Sequence, residues 1–220
     1  MSTDLNRSIR ISYNPGTNLP NEIMHPEGII QNHYTLSGQK LGKKLLDLRG
    51  GLIYQEQYYG DLVIKDGQPT RILPGDGVVN LSGSGVEFTY HLKDHTSTKL
   101  SAGLGNVRLV ITPGENNEPE VLQVNDYYPF GMAYTQNLQS GGGAHQHNKY
   151  LYNSKEEQEM PGRWLDYGWR MYDAQLARWH GVDPLADDAM QIDKSPYAYA
   201  WNNPIYYTDP DGLCPWCIGA

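Results

Sequence analysis

The stretch VEFTYHLKD, residues 86–94, alternates apolar and polar side chains. Val86, Phe88, Tyr90 and Leu92 fall on one face of an extended strand, and Glu87, Thr89 and His91 fall on the other. Residues 107–111 (VRLVI) repeat the pattern before Pro113-Gly114 ends it. Further runs of this kind are SIRISY (8–13), IIQNHYTL (29–36), KLLDL (44–48), GLIYQEQYY (51–59), DLVIKDG (61–67), TRILPGDG (70–77) and EVLQVND (120–126). Each closes on a turn signal, so the fold class is mainly β. An aromatic strand, a glycine turn and a returning aliphatic strand recur at 33–41, at 58–64 and, split, at 90–95 and 104–111. Units that cannot bury a face alone stack on their neighbours.

Composition agrees. Tyrosine occurs 17 times and phenylalanine twice, a bias suited to half-exposed strand positions where the ring packs and the hydroxyl meets water. There are 24 glycines and 14 prolines, consistent with many turns. The net charge of −8, with no basic face evident, argues against a nucleic-acid partner. No apolar run approaches the roughly 18 residues of a membrane span. MSTDLNRSIR at the start lacks the layout of a signal peptide, so the expectation is that the protein stays inside, leaves by a route that needs no cleaved signal, or is a piece of something longer.

Residues 135–148, TQNLQSGGGAHQHN, read as a polar, glycine-rich linker. After it, residues 149–182 are dense in Trp, Tyr and Arg. DPLADDAMQID (183–193) reads as one short helix, with Asp183 as N-cap, Pro184 at the first helical position and acids in the first turn.

Six motifs then occur in order: YYPFGM (127–132), NKYLYNSKE (148–156), LDYGWRMYD (165–173), ARWHGVDPLAD (177–187), SPYAYAWNNP (195–204) and TDPDGL (208–213). The series resembles the RHS repeat-associated core domain over about 126–213, and residues of about 30–125 resemble degenerate YD (Tyr-Asp) repeats. The resemblance implies three parts: a YD-repeat β region at 1–125, an RHS core at 126–213, and the start of a truncated or missing effector at 214–220. In that family YD repeats wind into a β-sheet shell around a C-terminal toxin, and the core forms the plug where shell ends and toxin begins. The implied role is a carrier of a polymorphic toxin, secreted or at the cell surface. Its partners would be the C-terminal toxin domain, the remainder of an RHS shell and an immunity protein. A shell fragment alone would expose unpaired strand edges and tend to aggregate or oligomerise. Ala177 stands where glycine is usual in the family, and a positive φ there would cost about 1 kcal/mol.

In relatives, an aspartyl-type self-cleavage follows the Asp-Pro-x-Gly-Leu motif, which implies Leu213–Cys214 as the bond cut here. The implied catalytic residues are Asp183 and Asp209, with Arg178 pairing a carboxylate or stabilising developing charge. Two carboxylates can divide the work if one is ionised and the other protonated. An N-cap would keep Asp183 ionised, and burial among Tyr197, Tyr199, Tyr206 and Tyr207 would keep a proton on Asp209. Each residue also has a structural reading, as an N-cap, a tight turn and a brace. At most a single-turnover cut of the chain itself is expected, with no activity in trans.

Cys214 and Cys217 have the spacing of a dithiol redox site, but the three residues after them are too few for the helix that would activate the first thiol. A metal would need two further ligands, for which His145 and His147 are the clustered option. No cofactor is expected.

Overall fold

A computed structural model of the chain describes residues 2–4, 7–83, 85–94, 105–114, 118–138, 148–158 and 163–213. It is a mainly β protein. Thirteen strands form one antiparallel sheet in which every strand pairs with its neighbours in sequence. They are β1 (Ser2–Asp4), β2 (Ile9–Tyr13), β3 (Pro20–His25), β4 (Gly28–Tyr34), β5 (Lys40–Leu46), β6 (Leu52–Tyr59) and β7 (Leu62–Lys65), then β8 (Gln68–Ile72), β9 (Gly77–Ser82), β10 (Gly85–Lys93), β11 (Val107–Pro113), β12 (Pro119–Tyr127) and β13 (Ala133–Leu138). A four-stranded antiparallel sheet follows, from β14 (Glu156–Glu157), β15 (Leu165–Asp166), β16 (Met171–Asp173) and β17 (Arg178–Trp179).

The meander is written in its turns. Between β7 and β8, Asp66 and Gly67 both take positive φ (51° and 80°), the combination of a type I′ hairpin, whose twist matches the flanking strands. The three recurring units of the sequence are the β4–β5, β6–β7 and β10–β11 hairpins. β10 and β11 pair from Tyr90↔Ile111 to Lys93↔Val107, and residues 95–104 between them lie outside the described residues. Four strands lie outside the expected runs, namely β1, β3, β9 and β13. β3 opens on Pro20, a position a strand tolerates because no ladder bond is needed there. β13 takes in the first four residues of the expected 135–148 linker, since pairing with β12 (Val124↔Asn137, Gln123↔Leu138) uses backbone groups that polar residues also carry.

The alternation in β10 holds, but its buried side is the polar one. Thr89 and His91 are buried, while Val86, Tyr90 and Leu92 are exposed. The same face of the sheet buries Asn32, Lys43, Glu56, Arg71, Gln123 and Asn125. What covers it is the segment of residues 148–213. Ile9, Ile11, Ile23 and Ile30 of the sheet form one core with Trp164 and Met171 of that segment. A second core, Tyr152, Leu165, Tyr167, Tyr172, Trp179 and Tyr199, belongs to the segment itself. Around the first core the docking is ionic, with each cation from the first 43 residues and each anion from the segment. Arg7 meets Asp173, Lys40 meets Asp166 at 2.6 Å, and Lys43 meets Glu156 at 3.4 Å. Trp169 rests on the β4–β5 turn, where a Cβ on Gly38 (φ 87°) would lie 3.0 Å from its ring.

The helix expected over 183–193 is absent; the segment is a run of tight turns. Most amides there bond three residues back (Ala186 to Asp183, Asp188 to Leu185, Gln191 to Asp188), and a single four-residue bond, Ile192 to Asp188, is not continued. Asp183 and Asp188 side chains accept the amides two residues on, from Leu185 and Met190 at 2.9 and 2.8 Å. The first is the bond expected of an N-cap; the second, inside the segment, competes with helix propagation. The helical content among the described residues is two short 3₁₀ turns, Tyr152–Ser154 and Tyr199–Asn202.

Ala177, between β16 and β17, has φ 56°. Left-handed backbone costs an alanine about 1 kcal/mol relative to glycine, so Ala177→Gly is expected to raise the melting temperature by roughly 2–4 °C. A thermal melt that is unchanged or lower would remove this account of the turn.

Candidate functional site

Arg170 follows a sharp bend after β15. Asp166 accepts the Gly168 amide at 2.9 Å, Gly168 takes φ 94°, and the next two residues lead into β16. The bend turns the Arg170 side chain into the aromatic core, where its guanidinium lies 4.3 Å from the centre of the Trp179 ring and is almost wholly buried. There it meets both aspartates. Nη1 donates to Asp183 Oδ2 at 2.8 Å and to the Pro196 carbonyl at 3.3 Å. Nη2 donates to Asp209 Oδ2 at 3.1 Å, and Nε donates to the Gly212 carbonyl. The planar fork of arginine suits such convergence of acceptors.

Asp183 reaches the site from the turn run. Its amide donates to the Pro196 carbonyl at 3.1 Å, and its Oδ1 accepts the Leu185 amide. Asp209 reaches it from the Asp-Pro-Asp-Gly bend, closed by the Asp209 side chain. Oδ1 accepts the Gly212 amide at 2.7 Å and the Leu213 amide at 3.1 Å. Gly212 is required on two counts. Its φ is 86°, and a Cβ would lie 3.1 Å from the Arg170 amide nitrogen and 3.2 Å from the Tyr167 Cβ. The Trp169 amide donates to the Asp211 carbonyl at 3.1 Å, so the last described residues are laid alongside the guanidinium.

Asp209 is 0 % exposed and Asp183 6 %. With both ionised, the three side chains carry a net negative charge out of water, which is costly. Burial pushes the Asp209 carboxyl up to about 6, against the opposing pull of Arg170 and the Gly212 amide. Burial also raises Asp183, opposed by Arg170 and the Leu185 amide. One proton shared by the pair makes the group neutral, and Asp209 is where it rests more easily.

The structure brings together Asp183, Asp209 and Leu213. It does not bring Arg178, whose side chain is exposed. On β17, Trp179 turns into the core, and strand alternation sends its neighbour Arg178 to the opposite face. Arg170 holds the place at the two carboxylates. No local pattern in the sequence marks Arg170, whose place is set by partners 13 and 39 residues further along the chain, Asp183 and Asp209. Of the tyrosines expected around Asp209, Tyr199 is fully buried, Tyr197 and Tyr206 are exposed, and the atoms that hold the carboxylate are those of Arg170, Gly212 and Leu213. Cys214, Cys217, His145 and His147 lie outside the described residues.

No family profile matches the chain. Two curated proteins do. Salivary gland surface protein 1 of Aedes aegypti is 33% identical over 108 residues, which is 49% of this chain and 3% of that protein. Toxin subunit YenC2 of Yersinia entomophaga is 30% identical over 100 residues, 43% of this chain and 9% of that protein. Among solved structures, the crystal structure of TcdB2-TccC3-TEV superposes with a TM-score of 0.70 at 17% identity, over 96% of this chain and 10% of that one. The Tc holotoxin pore of Photorhabdus luminescens gives 0.69 at 16% identity, over 99% and 10%. The chain thus spans a tenth or less of the length of these proteins, and its fold is that of a part of the Tc toxin structures.

Proposed function

We propose that this chain is the core-bearing part of an RHS-type toxin carrier and that it cuts itself once, after Leu213. The observation that carries the reading is the convergence on Arg170 of two buried carboxylates, one of which also holds the Gly212 and Leu213 amides. That convergence lies at the bend leading to the Leu213–Cys214 bond. Water adds to the Leu213 carbonyl carbon while ionised Asp183 takes its proton, and protonated Asp209 delivers a proton to the Cys214 nitrogen as the C–N bond breaks. The products are a Leu213 carboxylate and a Cys214 amine, with water consumed. Arg170 orients the carboxylates and keeps one of them charged.

The carrier role draws support from the likeness to Tc toxin structures and from the match to a toxin subunit. In this reading the strand region (1–125) lines a shell, the core (126–213) closes it, and residues from 214 on lead to the effector. The remainder of the shell would pair with the end strands β1 and β13, each of which has one strand neighbour among the described residues. Export or surface display, and an immunity protein against the effector, follow from the same reading.

Intact mass tests it. Wild-type protein is expected to lose residues 214–220, while Asp183→Asn and Asp209→Asn stay whole. The rate should follow a bell: it falls as pH rises through about 6, because Asp209 then loses the proton it donates, and it falls again in acid as Asp183, the base, gains one. A folded wild-type chain that keeps its full mass across that pH range leaves a carrier without self-cleavage.

A further inference from the structure

Residues 190–192 are partitioned the wrong way round for a surface turn. Met190 and Ile192 are 50% and 71% exposed, while the polar residue between them, Gln191, is 6% exposed. A buried amide is costly unless bonded, and apolar side chains in water gain nothing. What the arrangement achieves is one contact: Gln191 Nε2 donates to the Leu213 carbonyl oxygen at 3.2 Å. The backbone fixes that reach from both sides. The Gln191 amide donates to the Asp188 carbonyl at 2.9 Å, and the Gln191 carbonyl accepts from the Lys194 amide at 2.8 Å. Leu213 is held as firmly, its amide donating to Asp209 Oδ1 and Asp211 Oδ1, each at 3.1 Å.

We propose that Gln191 is the oxyanion donor of the self-cleavage, a catalytic residue in direct contact with the reacting carbonyl. This rests on the self-cleavage reading above. When water adds to the Leu213 carbon, a C–O bond forms and the carbonyl π pair moves onto the oxygen that the Gln191 N–H already faces. The donor is neutral and preorganised, so its bond strengthens as charge gathers on the oxygen, and it releases that charge when the C–N bond breaks and the carbonyl re-forms. It complements the carboxylates, which move protons but offer nothing to the developing oxyanion.

The test is a time course of intact mass on the full chain, unfolded in denaturant and returned to native buffer so that cutting starts at a known moment. Four forms are compared: wild type, Asp209→Asn, Gln191→Met and Gln191→Glu. Loss of one oxyanion donor lowers a rate by about 10²–10³-fold, and Gln191→Met, similar in length but without the N–H, is expected to slow by that factor while its near-UV circular dichroism matches wild type. Gln191→Glu is expected to be as slow, relative to wild type, at pH 8 and to regain the wild-type rate measured at the same pH as acid restores a donor O–H, a rescue that a packing role would not give. Cutting of Gln191→Met at the wild-type rate overturns the oxyanion assignment and leaves self-cleavage standing. A wild-type chain that stays whole, as Asp209→Asn does, overturns both.

Discussion

Replacing Arg170 with methionine is expected to destabilise the fold by about 3–5 kcal/mol at pH 8, because it leaves two buried carboxylates facing one another without their shared cation. It also strips donors from the Pro196 and Gly212 carbonyls. For a domain of this size the melting temperature should drop by roughly 6–20 °C. The pH dependence identifies the cause. Without the guanidinium, burial drives both carboxyls further above their ordinary value, so the folded chain holds protons that the unfolded chain has released. Stability then falls as pH rises through the interval between the unfolded value of about 3.9 and the raised folded values. Asp209 already contributes in that direction in the native protein. The Arg170→Met loss should therefore shrink markedly at pH 4.5. An equal loss at both pH values would mean that only packing on Trp179 had been removed. Self-cleavage should stop with Arg170→Met and continue with Arg178→Met, since Arg178 is on the exposed side of β17.

Lys43→Met is expected to cost a similar amount, about 3–5 kcal/mol, through a different joint. The Lys43 ammonium, 2% exposed, lies 3.3 Å from Glu56 and 3.4 Å from Glu156. Arg71 holds the other oxygen of Glu56 at 3.0 Å, and the Tyr58 hydroxyl donates to Glu156 at 3.3 Å. Burial pulls the Glu156 carboxyl up, but Lys43, then Lys40 and Arg71, outweigh it, and the group ionises below its ordinary value. A depressed carboxyl stabilises the fold above its unfolded pKa and loses that contribution as pH falls through its folded one. Removing Lys43 should thus hurt most at neutral pH and less in acid. Because β14 carries Glu156 and β5 carries Lys43, the loss should also speed limited proteolysis of residues 148–213. The double variant Lys43→Met/Glu156→Gln, which removes both charges, should regain more than half of the stability. A single variant that melts within 2 °C of wild type, or a double variant weaker than the single, would deny the joint this role.

These joints mark where local pattern stops being informative. Strands β2, β4, β6, β7, β10, β11 and β12 were legible because side-chain alternation and turn residues act within ten residues of each other. The Asp66-Gly67 turn needs no distant partner to choose its φ values. The helix over 183–193 misled because, although Asp183 makes its N-cap bond to the Leu185 amide, Asp188 inside the segment bonds the Met190 amide and closes a turn instead. At the candidate site, Asp183, Asp209 and Leu213 could be named from their motifs, whereas Arg170 and Gln191 could not. Their roles depend on contacts 39 and 22 residues away along the chain.

The sequence by itself determined a β meander, its hairpins, and the bend that ends in Gly212-Leu213. Only the tertiary structure decided which face of the sheet is covered, and it chose the polar one of β10. Alternation with a period of two defines two faces but is symmetric between them. The choice falls to whatever packs against the sheet, here a segment of aromatic and acidic residues that arrives from beyond residue 147 and brings anions to meet Lys40 and Lys43. The same packing turned Arg170 inward and left Arg178 in solvent, because a charge is tolerated in a core only where its counter-charges have already been assembled around it.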